Sequence, residues 1–138
     1  MSLAGPKDAF LGKTVREMSA EGVVFVAAAG NGGPAAAPSF PAAYDEVIAV
    51  TAVDRRLKSY VYATRGSHID LAAPGVEIWA ALPGGREGTL TGTSFAAPYV
   101  TAVIAAMYAS NESKDASLNP KVSLLRSKRP PATTASSA

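Results

Sequence analysis

Two short apolar runs constrain the fold of this chain more than any other feature. Residues 23–29 read Val-Val-Phe-Val-Ala-Ala-Ala, and residues 47–53 read Val-Ile-Ala-Val-Thr-Ala-Val. Runs of this length, rich in β-branched residues and without polar alternation, are typical of strands that are buried on both faces. Parallel sheets contain such strands, because their crossover connections cover both faces. The two runs therefore predict a mainly parallel sheet.

Helical patterns precede and follow these strands. In residues 8–21, apolar side chains recur at helical spacing at Leu11, Val15 and Met18. A second helix is predicted over residues 94–108, where the chain is again mostly apolar. The order of helix, strand, strand and helix predicts an α/β fold of three layers, with a mainly parallel sheet between helices.

The remaining segments are predicted as loops and short strands. Residues 32–43 carry three prolines and are predicted as a loop, and residues 83–85 as a turn. The chain is predicted to start with a strand in residues 1–6, which would leave a sheet edge exposed and so indicates an incomplete domain. Further short strands are expected near Val61, at residues 69–71 and at residues 76–79.

Composition excludes several classes of protein. The 138 residues contain no cysteine, which excludes disulfide bonds and thiolate metal sites. No apolar stretch reaches the roughly 20 residues that cross a bilayer, and the N-terminus has no signal-peptide pattern. The net charge of +2 and a short basic region near the C-terminus do not indicate nucleic-acid binding. Residues 1–127 are interpreted as part of a domain, and residues 128–138, rich in Pro, Ser, Thr and Ala, as a flexible tail.

Residues 92–98, Gly-Thr-Ser-Phe-Ala-Ala-Pro, open the second predicted helix with a serine. A serine hydroxyl becomes a nucleophile when a base takes its proton and nearby dipoles favour the negative charge. The first turn of a helix supplies such dipoles through its free N–H groups. Ser94 is therefore a candidate nucleophile. The alternative is that Thr93 or Ser94 only caps the helix.

Asn31 ends the first predicted strand and is flanked by glycines. A carboxamide in this place can project into a cleft and donate a hydrogen bond to a developing oxyanion. The alternative is an ordinary Asn-Gly turn.

The two motifs resemble those of the subtilisin-like serine proteases, the subtilases. Residues 27–31 resemble the family's oxyanion-asparagine motif and residues 92–98 its serine motif, and the 63-residue separation of Asn31 and Ser94 is comparable to the family's. The similarity extends from residue 1 to about residue 109. It indicates the C-terminal portion of a catalytic domain. Other matching segments are residues 1–6, 40–44, 47–50 and 70–75.

The resemblance implies a role for each matching residue. Ser94 would be the nucleophile, and the side chain of Asn31 with the backbone N–H of Ser94 would form the oxyanion hole. The resemblance implies no required cofactor, and in some relatives the equivalent region holds a weakly bound structural cation such as calcium. The substrate-binding residues would be Ser2, Leu3, Ala4 and Gly5 on one wall, and Ala28, Ala29, Gly30 and Thr93 around the pocket. The cation would be held by Asp70 with the carbonyls of Ala42, Tyr44 and Val47.

The resemblance also implies that the catalytic site is shared with residues outside this chain. In this family the triad runs Asp, His, Ser along the chain, so both partners of Ser94 would precede Met1. His68 does not match the position of the base and is predicted as a surface or loop residue, and Asp70 as structural. The chain alone is therefore expected to be inactive. Its expected partners are a polypeptide substrate, the N-terminal part of the same domain and, through the exposed sheet edge, a second copy.

Three hypotheses follow from the sequence. The first is part of a secreted or cell-envelope serine endopeptidase, with a preference for apolar P1 residues because Gly32, and no acid, follows Asn31. The second is a subtilase-like binding or structural domain that has lost the triad. The third is a nucleotide-binding domain, which fits poorly because residues 30–33 lack the G-x-G-x-x-G spacing.

Overall fold

The computed structural model of the chain describes residues 1–112, with side chains up to residue 110. Residues Met1–Ile104 form one compact unit, and a second unit begins at Ala105 inside the last helix. The predicted tail at residues 128–138 and the end of the predicted domain, residues 113–127, lie outside the described residues.

Two helices and five strands make up the described chain. The parallel sheet has the order β1-β2-β3, and β4 pairs with β5 as an antiparallel hairpin. The elements in chain order are α1 (Ala9–Ala20), β1 (Phe25–Ala28), β2 (Val47–Val53), β3 (Leu71–Pro74), β4 (Ile78–Leu82), β5 (Arg86–Leu90) and α2 (Thr93–Glu112).

Strand β2 is the centre of the sheet. It pairs in parallel with β1, in the register Phe25↔Val47, and with β3, in the register Val50↔Leu71. All its residues are buried except Thr51, which is half-buried. The central position explains the unbroken apolar run, since both faces of this strand are covered.

Helix α1 covers one face of the sheet. Asp8 caps its N-terminus, because the carboxylate oxygen Oδ1 accepts a hydrogen bond from the N–H of Leu11 at 2.7 Å. Val15 of the helix is buried in one apolar cluster with Val47 and Ala49 of β2. These two strand residues are two positions apart, so they share a face of the sheet.

The first turns of helix α2 lie on the opposite face. Ala52 lies on that face, since its position alternates with those of Val47 and Ala49. A Cβ atom placed on Gly75, directly after β3, would lie 2.7 Å from the Cβ of Ala52 and 3.1 Å from the Cβ of Ala96 in α2. The first turns of α2 therefore pack closely on this side. The α/β fold with a parallel sheet between helices is confirmed.

The hairpin region differs from the prediction. A short strand is predicted at residues 76–79, and the structure has β4 at residues 78–82. The sequence did not predict β5, because Gly88 and the charged residues before it do not form an apolar pattern. The strand predicted near Val61 was wrong. Val61 lies in a turn, where the only strand-like pairing nearby is a single bridge between Val53 and Ser59.

The first residues lie along the edge of β1 without forming a regular strand. The ammonium group of Met1 donates to the carbonyl of Val26, and the N–H of Ala28 donates to the carbonyl of Met1 at 3.0 Å. Gly5 forms an isolated antiparallel bridge with Phe40. The predicted edge strand at residues 1–6 is therefore reduced to two points of pairing.

Close packing at Gly75 yields a test of the three-layer arrangement. The substitution Gly75→Ala should lower the free energy of unfolding by about 1–3 kcal/mol, because the new methyl group would overlap both Ala52 and the carbonyl of Gly92 at 2.8 Å. Urea denaturation measures this loss. Gly5→Ala is the matched control, since nothing lies within 4 Å of a Cβ placed there, and it should change stability by less than about 0.5 kcal/mol. Equal stability of the two variants would contradict the packing.

Candidate active site

The end of β1 and the beginning of α2 meet at Asn31. The carboxamide oxygen Oδ1 of Asn31 accepts two hydrogen bonds from Thr93, one from the backbone N–H at 3.0 Å and one from the hydroxyl at 3.0 Å. Thr93 is fully buried at the first residue of α2. These two bonds join residues that are 62 positions apart in the chain.

The bonds to Thr93 determine which end of the carboxamide is available. Since Oδ1 is occupied by two donors, the exposed residue Asn31 presents its nitrogen Nδ2 as the group free to donate. A Cβ atom on Gly92 would lie 3.1 Å from Nδ2, so the amide nitrogen passes close to the residue before Thr93. A glycine at this position gives the carboxamide room.

Ser94 is the second residue of α2 and is half-buried. Its N–H lies in the first helical turn, where N–H groups have no partner within the helix and the helix dipole is positive. Within the part of the chain that the structure describes, its hydroxyl makes no hydrogen bond. The predicted nucleophile thus stands directly after the residue that anchors Asn31.

The predicted substrate-binding segment lies beside Ser94. The hydroxyl of Ser2 donates to the carbonyl of Ser94 at 3.1 Å. Ser2, Leu3 and Ala4 are exposed, and their backbone groups make no hydrogen bond to other described residues. Gly5, in contrast, exchanges two backbone bonds with Phe40 at 2.9 and 3.0 Å. The free backbone of residues 2–4 can pair with an extended peptide.

The predicted opposite wall of the substrate pocket is the end of β1. Ala28 and Ala29 are buried, and the N–H of Ala29 donates to the carbonyl of Val50 at 2.9 Å. Gly30 has φ of +105°, a conformation that favours glycine. Its N–H donates to the hydroxyl of Thr93 at 3.1 Å. The chain therefore turns away from the sheet at Gly30, and Asn31 lies against the first residue of α2.

Two hydroxyl residues at this turn were missed by the sequence analysis. A Cβ atom on Gly30 would lie 3.0 Å from the hydroxyl of Ser39 and 3.2 Å from that of Thr64. The hydroxyl of Ser39 also donates to the carbonyl of Ala29 at 3.3 Å. Neither residue belongs to a recognisable motif, so only the folded chain brings them to Gly30.

His68 is separate from this group. In the described part of the chain no hydrogen bond joins it to Ser94, and its ring nitrogen Nε2 is buried without a hydrogen-bond partner there. Burial lowers the pKa of His68 below its usual value of 6.5, although the nearby Asp70 carboxylate opposes this effect. Asp70 has a structural contact, because its Oδ2 accepts from the N–H of Ala49 at 2.9 Å.

The residues considered for a cation also make contacts within the chain. One oxygen of the Asp70 carboxylate is bonded to Ala49, and the carbonyl of Tyr44 accepts from the N–H of Val47 at 3.1 Å. Binding of Ca²⁺ by Asp70 with the carbonyls of Ala42, Tyr44 and Val47 stays a prediction. Among the described residues, no group of three or more His, Cys, Asp or Glu side chains could hold a metal ion.

Neither helix within residues 1–112 has the length and the apolar character that spanning a membrane requires.

Known proteins match most of the chain. A family model described as the Subtilase family matches residues 1–127. Subtilisin E of Bacillus subtilis (strain 168) is 41% identical over 109 residues, which cover 76% of this chain and 29% of the relative. The major intracellular serine protease of the same strain is 43% identical over 110 residues, covering 76% of this chain and 34% of the relative.

A solved structure also matches. The structure of the prenylagaramide maturation protease PagA superposes with a TM-score of 0.65 at 34% sequence identity, over 72% of this chain and 37% of that chain. The chain therefore spans about a third of the length of the proteins it matches.

The buried nitrogen of His68 predicts a loss of stability in acid. Because the pKa is lowered in the folded chain, the unfolded chain binds more protons once the pH falls below about 6.5. The stabilising contribution of the neutral ring is therefore complete above the unfolded pKa and is lost as the pH falls through the folded pKa. Urea midpoints at about pH 7.5 and about pH 5 should differ less in His68→Gln than in the unmodified chain. An identical pH dependence of the two proteins would contradict this assignment.

Proposed function

This chain belongs to the subtilase family of serine proteases, and from that membership we propose that it carries the nucleophile and the oxyanion hole of a serine endopeptidase. The observation that carries the proposal is the contact between Asn31 and Thr93. It brings a carboxamide donor to the helix turn that contains Ser94. The two motifs are far apart in the chain, so their meeting supports a common site.

The proposed mechanism divides the chemistry between this chain and residues outside it. The Ser94 hydroxyl attacks a peptide carbonyl while a histidine takes its proton. The carbonyl oxygen becomes negatively charged, and it is stabilised by the Nδ2–H of Asn31 and the backbone N–H of Ser94. The histidine then protonates the leaving amine, and water hydrolyses the acyl-enzyme. In the family's chain order, the histidine and its aspartate come before the residues described here.

The substrate is proposed to be a polypeptide bound in extended form. The exposed backbone of Ser2, Leu3 and Ala4 would pair with it, next to the Ser94 carbonyl that Ser2 contacts. Ala28, Ala29 and Gly30 would line the other side of the P1 pocket. Wall residues of this kind are small and uncharged, which supports an apolar P1 residue.

The remaining proposals concern the partners and the location of the chain. The N-terminal part of the same domain is the proposed partner of this chain, and pairing of two copies along the sheet edge beyond β1 is the proposed self-association. An extracellular location is also a proposal, since one matched relative is by its name an intracellular protease. The alternative function is a subtilase-like binding domain without activity.

Labelling with a fluorophosphonate tests the division of the site. The 138-residue chain should react no faster than its Ser94→Ala variant, because its only histidine, His68, makes no hydrogen bond to Ser94 in the described structure. The product of the same gene extended by the coding region before Met1 should be labelled rapidly. Gel fluorescence after a time course gives both rates.

The outcomes separate the hypotheses. Rapid labelling of Ser94 in the 138-residue chain would contradict the proposed division of the triad. Absence of Ser94-dependent labelling in a folded, extended protein would favour the binding-domain alternative.

The P1 preference gives a second test in the extended protein. Cleavage of a peptide library should favour apolar over basic residues at P1, because no acidic side chain follows Asn31 at Gly32 and Gly33. Mass spectrometry of the cleavage products identifies the preference. A clear selection for Arg or Lys at P1 would refute an uncharged pocket.

A further inference from the structure

We propose that a positively charged turn at residues 54–58 selects polypeptide substrates with acidic residues on the C-terminal side of the cleaved bond. This inference deepens the proposed function and rests on it. The turn, called the basic turn below, contains Arg55, Arg56 and Lys58. It contributes no group to the proposed reaction itself.

The cations of the basic turn make no salt bridge with any described residue. Arg55, Arg56 and Lys58 are exposed, and the salt bridges found among the described side chains both start from cations of α1. Asp54 is the one carboxylate in the turn, against three cations, so the turn keeps an excess of positive charge as large as that of the whole chain, +2. This charge is therefore available to an anionic partner.

The basic turn is held by backbone hydrogen bonds and by the side chain of Asp54. Its oxygen Oδ1 accepts from the N–H groups of Arg56 and Lys58, both at 2.8 Å, and the N–H of Asp54 donates to the carbonyl of Lys58 at 2.9 Å. An aspartate commonly fixes a turn in this way. The cationic side chains therefore project from a fixed backbone, which reduces the ordering that binding requires.

The basic turn lies at the same edge of the sheet as the candidate active site. It begins directly after Val53, the last residue of β2, and β1 is parallel to β2. The N–H of Gly75 donates to the carbonyl of Val53 at 3.0 Å, and the N–H of Gly92 donates to the carbonyl of Gly75 at 2.8 Å. Each of these bonds joins segments about 5 Å apart, so Val53 lies on the order of 10 Å from the residue two positions before Ser94.

The basic turn and the proposed substrate-pairing residues lie on opposite sides of β1. Met1 bonds to the carbonyl of Val26 and the N–H of Ala28 on one side of this strand, and β2 pairs on the other. The segment that follows Met1 is proposed to pair with the part of the substrate that ends at P1. The part beyond the cleaved bond therefore continues towards the side of β2 and its turn.

The distance corresponds to a few residues of substrate. An extended peptide advances about 3.3 Å per residue, so about 10 Å is covered by the third residue after the cleaved bond. Arg65 adds an exposed cation near this path, since it follows Thr64, whose N–H donates to the carbonyl of Gly30 at 2.9 Å. Glutamate or aspartate near this position would thus meet positive charge.

An acidic polypeptide fits this surface better than a nucleic acid. The basic turn and Arg65 offer four exposed cations, fewer than the about six to ten phosphate contacts of a strongly salt-dependent DNA-binding protein. The proposed reaction also brings a polypeptide, and no other polymer, to this edge of the sheet.

Cleavage of matched peptides by the extended protein tests the selection. One peptide carries glutamates at the second to fourth positions after the cleaved bond, one carries glutamines there, and one carries the glutamates before P1. The first should exceed the second in kcat/KM about fivefold, as expected for two exposed ion pairs, mainly through KM. The third should gain nothing, and about 0.5 M salt should remove the advantage of the first.

Variants assign the selection to the basic turn. Arg55→Gln with Arg56→Gln should abolish the advantage of the glutamate peptide and leave cleavage of the glutamine peptide unchanged. Lys13→Gln with Arg16→Gln is the matched control, because it removes the same charge from exposed cations of α1, and it should keep the advantage. All four side chains are exposed, so these variants should fold. Equal loss of the advantage in both variants, or none in either, would overturn the inference.

Binding can be measured without activity in the Ser94→Ala variant of the extended protein. Fluorescence anisotropy of the labelled glutamate peptide should show about fivefold weaker binding once Arg55 and Arg56 are replaced by glutamine. Tighter binding of a single-stranded DNA through the same arginines would overturn the inference in favour of a nucleic acid. If the extended protein cleaves none of the peptides, the proposed function fails, while the anisotropy still decides whether the basic turn binds acidic polypeptide.

Discussion

The site depends on one interaction, the pair of hydrogen bonds from Thr93 to the carboxamide oxygen of Asn31. It connects the end of a buried strand to the first turn of a helix more than sixty residues later. Each partner alone has an ordinary structural explanation, since threonine caps helices and asparagine ends strands. Together they orient a donor and place it next to the serine that follows Thr93. A tertiary contact therefore changes two common local features into a candidate catalytic arrangement.

Small residues make this contact possible. The carbonyl of Gly75 accepts from the N–H of Gly92 at 2.8 Å, so the loop after β3 is bonded directly to the residue before α2. A side chain at Gly75 would meet Ala52 of β2 and Ala96 of α2. The alanine-rich composition thus has a specific consequence. It allows the helix to approach the sheet until its N-terminus reaches the carboxyl ends of the strands, where ligands bind in open parallel sheets.

The described residues supply only part of the chemistry of a serine protease. They contain the proposed nucleophile Ser94, the proposed oxyanion donors and an exposed segment at residues 2–4. Proton transfer requires a histidine, and His68 has a different environment, with one buried nitrogen and the Asp70 carboxylate nearby. The chain covers about a third of its relatives. In the proposed enzyme, the groups that stabilise the oxyanion and the histidine that transfers the proton therefore lie in different segments of the protein.

Much of the fold could be predicted from the sequence. The bounds of β2 agree with the apolar run at residues 47–53. A strand that is covered on both faces is mostly apolar along its length, so the run shows where the strand begins and ends. The motif around Ser94 and the glycines around Asn31 also predicted which residues to examine. The sequence by itself thus determined the parallel sheet, the two helices and the family. Only the tertiary structure decided the pairing of β5, the turn at Val61, the hydroxyls around Gly30 and the anchoring of Asn31 by Thr93. These features depend on partners distant in the chain, and no local pattern of hydrophobicity or turn residues encodes which distant group completes a hydrogen bond.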